Sequence, residues 1–166
     1  MKPSGQITRQ RLARLLDQHS RPLELYASQW CTSPQDCVQE AFVGLAALIP
    51  PPENEVAWLY RAVRNRAINA ARSAQRRDAH EKEGPLLSGQ IDNDPAEVAA
   101  SKEESRRLIE HLNQLDKDHA EIVVLRIWSE LTWDQISELT GMSSSNAQRK
   151  YVKAIERLGS LMKNNV

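Results

Sequence analysis

Few residues in this chain have the types and spacings needed to make or break a covalent bond. Cys31 and Cys37 lie six positions apart, but a disulfide framework needs more cysteines. A zinc site would need two further ligands, and His19, His80, His111 and His119 form no ligand pattern with them. The simplest reading is two free thiols packed at a helix start. The chain contains no phosphate-cradling glycine loop, no paired-carboxylate site and no nucleophile-base motif. The expectation is a protein that is not an enzyme, with no metal and no cofactor. What remains is the chemistry of recognition: charge, hydrogen bonding and stacking.

That chemistry is concentrated in two places. From Val56 to Arg77 there is no acidic residue, while Arg61, Arg64, Arg66, Arg72, Arg76 and Arg77 are all basic. Trp58, Tyr60 and Asn65 lie in the same run, and aromatic side chains interleaved with cations suit stacking on single-stranded or melted DNA. At least one of Trp58 and Tyr60 is expected to be core instead. The second concentration is Ser144, Ser145, Gln148, Arg149, Lys150 and Lys153, whose hydroxyl, amide and cationic groups can donate to base edges and phosphates. Between the two, from Asp78 to Glu104, eight carboxylates face only Lys82 and Lys102. Net charge is zero and the pI about 6.9, so two basic segments are masked by an acidic connector.

The elements that position these groups read as helices throughout; no strand signal appears. Residues 8–19 form a first helix with Ile7, Leu12, Leu15 and Leu16 on one face. Pro22 is expected to interrupt it before a second apolar stretch through Trp30. Ser33 and Pro34 open a helix with Val38, Phe42, Leu45 and Leu48 inward, stopped by Pro50, Pro51 and Pro52. Another begins near Asn54 or Glu55 and packs through Val56, Leu59, Val63 and Ala67. Gly, Pro and Ser then mark a flexible linker. Beyond it, helices are expected over 95–112, 116–128, 132–140 and 143–162. Leu131 to Leu158 has helix-turn-helix architecture. Thr132 caps the first helix of the pair, and Gly141 takes the sharp turn with positive φ. Met142 fills the angle and Ser143 caps the second helix. Ala147, Tyr151, Ala154, Ile155 and Leu158 form its buried stripe. The fold class is all-α: two small helical domains, residues 7–77 and 96–163, joined by an acidic linker over 78–95. The longest apolar run is too short to span a bilayer, and no signal peptide is evident at the N-terminus. No membrane insertion is expected, and the expected compartment is the cytoplasm.

The order of blocks is specific. An acidic D-x-x-Q-E-x-F helix from Asp36 to Phe42 comes first, followed by W-L-Y-R-x-x-R-N from Trp58 to Asn65. A linker follows, then E-I-V-x-L-R and L-T-W-D-Q-I-S-E-L-T-G-M-S up to Ser143. This order resembles sigma factors of the extracytoplasmic-function (ECF) type, with region 2 over about residues 10–78 and region 4 over about 105–163. The resemblance implies a factor that binds core RNA polymerase and directs promoter recognition, DNA melting and transcription initiation. It implies that Asp36, Gln39 and Glu40 face the polymerase clamp, and that Leu59 to Asn69, with Arg61, Arg64 and Asn65, serves the −10 element and strand opening; the aromatic and basic types of Trp58, Tyr60 and Arg72 add them to that expected site. It implies further that the helix from Ser144 to Lys153 reads the −35 element. Asn54, in the loop with three prolines, is the guess for capture of a flipped −10 base. Proteins of this type are commonly held by an anti-sigma factor, so one is a further expected partner beside core polymerase and promoter DNA. The competing reading is a stand-alone helix-turn-helix regulator that binds operator DNA without polymerase.

Overall fold

The computed structural model describes residues 5–78 and 98–164, and among them it holds seven helices and no strand. The expected linker lies almost wholly outside the described residues. The chain divides into two compact units, Met1–Gly89 and Gln90–Val166.

The first unit is a three-helix bundle of α1 (Arg9–Ala27), α2 (Pro34–Ala47) and α3 (Glu55–Asp78). Thr8 caps α1, its Oγ1 accepting the Arg11 N–H at 3.1 Å. Pro22 does not interrupt this helix, contrary to the sequence expectation, and α1 runs through it to Ala27. The physical reason is tertiary packing. Leu15, His19, Leu23, Tyr26 and Ala27 form one continuous buried stripe on both sides of the proline, and that burial outweighs the one backbone bond Pro22 cannot donate. Of the four residues expected on the inward face, Leu15 is buried while Leu16 is exposed. In α2, Ser33 is the N-cap residue with Pro34 in the first turn, and Cys37, Val38, Ala41, Phe42 and Leu45 point inward. Asn54 starts α3, its Oδ1 accepting the Ala57 N–H at 3.0 Å. Leu59, Tyr60, Val63 and Ala67 are its buried face. An Arg11–Glu55 ion pair of 2.7 Å joins the start of α1 to the start of α3.

The second unit contains α4 (Val98–Asn113), α5 (Lys117–Trp128), α6 (Trp133–Thr140) and α7 (Ser144–Asn164). Its core is α5, where the run Ile122 to Leu125 is buried, closed by Ile136 of α6 and by Ala147 and Ala154 of α7. Ile155, expected in the α7 stripe, is partly exposed instead, and Tyr151 and Leu158 are half-buried. Small alanines at the closest approach let α7 lie near α5 and α6, so the flanking larger residues reach only the rim.

Candidate promoter-DNA and polymerase interfaces

In the first unit, Asp36, Gln39 and Glu40 share one exposed face of α2, as their i, i+3, i+4 spacing requires. Glu40 is not isolated there. Its carboxylate lies 3.8 Å from the Arg66 guanidinium of α3, which also donates to the Ala62 carbonyl at 3.3 Å. Arg61, Asn65 and Arg72 are exposed on α3 and Arg64 is half-buried; their spacing of three, four and eleven residues gathers them on one face. The Arg64 guanidinium stands 5.7 Å from the centre of the Trp30 ring, a cation–π distance. Trp30 itself meets Tyr26 edge-on at 4.9 Å.

The two aromatic residues at the start of α3 part company. Trp58 is half-buried and its ring covers Gly44 of α2: a Cβ on Gly44 would come within 3.2 Å of the indole and 3.3 Å of the Arg66 guanidinium. Tyr60 is fully buried, tilted against Tyr26 at 5.3 Å, with a hydroxyl that has no hydrogen-bond partner. Its place on the DNA-facing side is therefore corrected: it is a core residue, one helical step away from the arginine stripe. Asn54 is exposed, with its side-chain oxygen occupied as the cap of α3.

In the second unit the helix pair is built by local bonds. Thr132 and Gln135 form a reciprocal capping box, Oγ1 accepting the Gln135 N–H at 3.2 Å and Oε1 accepting the Thr132 N–H at 2.8 Å. Gly141 ends α6 at φ +78°, with its N–H donated to the Ser137 carbonyl at 2.9 Å. Ser137 Oγ donates to the Met142 carbonyl at 2.6 Å, and Ser143 Oγ accepts the Asn146 N–H at 3.2 Å. The turn is held on both sides. An aromatic stack that carries no sequence signature ties three helices together. Arg126 of α5 lies 4.5 Å over the Trp133 ring and donates to the Leu131 carbonyl at 3.2 Å, while Trp133 meets Tyr151 of α7 edge-on at 5.6 Å.

On α7, Ser145, Gln148, Arg149 and Lys153 are exposed along one face. Val152 sits in the middle of that face, 55% exposed, an apolar member that the polar pattern of the helix does not single out. Ser144 and Lys150 flank it. Lys150 is turned toward α5, its ammonium 2.8 Å from the Asp118 carboxylate, and Ser144 Oγ accepts from Gln148 Nε2 at 3.3 Å. Among the described residues no cluster of three or more metal-ligating side chains occurs, and no helix is long and apolar enough to cross a membrane.

Comparison with known protein families places both units. The family model described as "Sigma-70 region 2" matches residues 15–77, and that described as "Sigma-70, region 4" matches residues 105–158. The chain belongs to the sigma-70 family. It is a sigma factor that directs transcription initiation, and regions 2 and 4 are the parts that bind core RNA polymerase and promoter DNA. Region 2 corresponds to α1–α3, region 4 to the helices that carry the helix-turn-helix. No curated protein matches the chain. Among solved structures, the chain is similar to CnrH, solved in complex with the cytosolic domain of CnrY (19% identity, TM-score 0.62, covering 96% of this chain and 92% of that one). It is also similar to the sigma factor RpoE, solved in complex with the anti-sigma factor NepR from Bartonella quintana (17% identity, TM-score 0.65, covering 94% and 98%). At these identities the likeness establishes the fold. The sigma-70 membership agrees with the ECF-type resemblance drawn from the ordered sequence blocks.

Proposed function

We propose a division of labour among the exposed faces. Residues 7–77 bind core polymerase and the −10 element, residues 78–95 link, and residues 96–163 read the −35 element. Asp36, Gln39 and Glu40 meet the polymerase clamp, with Arg66 orienting Glu40. Arg61, Arg64, Asn65 and Arg72 track the phosphates of the opening −10 strands, and Trp58 supplies a stacking surface at their end. Ser145, Gln148, Arg149 and Lys153 enter the major groove, where amide and guanidinium groups read base edges and Lys153 binds phosphate. Ser144 and Lys150 support them from the flank. Val152 adds an apolar contact of the kind a thymine methyl accepts. Asn54 is placed beside the melted strand as the candidate for base capture. The factor works by recognition, without bond-making chemistry of its own, and acts in the cytoplasm. An anti-sigma factor is a further partner, a class for which RpoE with NepR is the precedent.

The observation that carries this reading is the pairing of an exposed arginine face on α3 in region 2 with an exposed polar face on α7 in region 4. Reconstituted transcription tests it. The chain added to core polymerase should confer initiation on a cognate promoter, and the free chain should bind that promoter weakly. Tight, sequence-specific binding by the free chain, with no gain from core polymerase, would favour the stand-alone regulator.

A further inference from the structure

The corner between α1 and α2 holds two sulfurs that the promoter-reading function does not use. Cys31 follows the last turn of α1 and Cys37 lies in the opening turns of α2. Both are buried, neither is bonded, and their Sγ atoms stand 3.6 Å apart. That is S–H···S hydrogen-bonding distance, about 1.5 Å longer than a disulfide bond. Only five residues, Thr32 to Asp36, separate them in the chain. The Cys31 Sγ also lies 3.5 Å from the Ala27 carbonyl, at the end of α1.

We infer that Cys31 and Cys37 form a redox-closable pair, which a two-electron oxidant of the peroxide class converts into an intramolecular disulfide tying the end of α1 to the start of α2. The chemistry balances with the two thiols and one peroxide. Cys31 gives its proton to solvent, and its thiolate attacks a peroxide oxygen. The O–O bond breaks, and hydroxide leaves and is protonated to water. The sulfenic acid so formed on Cys31 is attacked by the Cys37 sulfur; the S–O bond breaks and a second water leaves with the Cys37 proton. Two thiols are oxidised by two electrons while the peroxide is reduced to two waters.

Local chemistry assigns the order of events. A hydrogen bond from the Cys37 thiol, helped by the backbone at Ser33, holds the Cys31 thiol below the ordinary thiol range, at about 7, against the opposing effects of burial and Asp36. The same bond, with burial and the nearby carboxylates of Glu40 and Asp36, pushes Cys37 up. Cys31 is thus the attacking sulfur and Cys37 the resolving one. Among the described residues no third metal-ligating side chain joins them. Asp36 precedes Cys37 directly, so closure constrains the helix start from which the acidic face of α2 projects.

The test uses the full chain. After treatment with a modest excess of hydrogen peroxide, the monomer should lose about 2 Da in intact mass, and both cysteines should resist alkylation after denaturation. A dithiol reductant should restore the mass and both reactive thiols. Cys31→Ala and Cys37→Ala should each abolish the loss without producing an intramolecular bond. Mass spectrometry of the digested wild-type chain should find the Cys31–Cys37 cross-link. Two thiols that remain fully alkylatable, or oxidation that yields only intermolecular dimers or sulfinic acid, would overturn the inference. Because the wild-type chain is the primary sample, the result stands whether or not the variants fold.

Discussion

Tyr60 sits one position from the exposed Arg61, and its side chain points the opposite way, into the region 2 core. Its aromatic body contributes packing, but its hydroxyl has no hydrogen-bond partner, and a buried unsatisfied polar group costs about 1–3 kcal/mol. Tyr60→Phe should therefore stabilise region 2 by about 1 kcal/mol in urea unfolding. Tyr60→Ala should cost about 3–5 kcal/mol through the cavity it leaves. Burial also pushes the Tyr60 phenol above its ordinary range. A raised folded pKa means stability that is whole below the unfolded value, about 10 for tyrosine, and is lost as the pH climbs beyond it. Wild-type region 2 should weaken above about pH 10 and Tyr60→Phe should lose less there; parallel pH profiles would refute this. Gly141 makes a complementary case. An added Cβ would meet nothing within 4 Å, so the whole penalty of Gly141→Ala lies in the backbone at φ +78°. That penalty is about 1–2 kcal/mol, and it should appear as faster hydrogen exchange in α6 and α7.

At the scale of the helix, a face acts as a unit, and its members differ in what they do. On α7, Arg149→Ala should cost about 1–3 kcal/mol and relax preference at one base pair, whereas Lys153→Ala should weaken all sequences alike and lower the salt slope by about 0.9. Filter binding of the holoenzyme to matched and mismatched −35 elements across a salt series separates them; identical behaviour would show that both contact only phosphate. On α3, Trp58→Ala should impair initiation on duplex promoter more than on a pre-melted template, and equal defects would remove Trp58 from strand opening. How far such faces can be read from sequence depends on the range of the forces involved. The Thr132 capping box, the positive φ of Gly141 and the Ser143 cap are local bonds between near neighbours, and each residue type announces its role. The inward stripe of α3 is equally readable, because helical spacing alone defines it. Pro22 misleads because local chemistry says break, while a stripe from Leu15 to Ala27 says continue, and only packing decides between them. The Glu40–Arg66 and Lys150–Asp118 pairs join residues 26 and 32 positions apart and leave no local trace. The same holds for the stack of Arg126, Trp133 and Tyr151, and for the sulfur pair, whose spacing of six fits bland packing as well as contact.

For the whole molecule the governing quantity is how one bound unit raises the local concentration of the other. Each unit presents one basic face of modest size, and two weak sites on one chain bind together far better than either alone when the span permits. The chain sums to zero charge only because the segment between the basic faces is acidic, with Asp92, Asp94 and Glu97 among its carboxylates. Long-range attraction to DNA is set by this sum, so the free sigma factor is steered weakly toward nucleic acid, and polymerase must supply the remaining attraction. A basic channel in polymerase would take such an acidic segment as it takes a nucleic-acid strand. Converting Asp92, Asp94 and Glu97 to lysine should then do two opposite things. Non-specific DNA binding by the free chain should strengthen and become more salt-sensitive, because each of the three replacements exchanges a negative charge for a positive one. Open-complex formation with core polymerase should fall, because the segment no longer complements the channel. Permanganate footprinting for opening and fluorescence anisotropy on random duplex for free-chain binding measure the two effects. Undiminished opening by the charge-reversed chain would confine the role of the acidic segment to masking the basic faces before polymerase is bound.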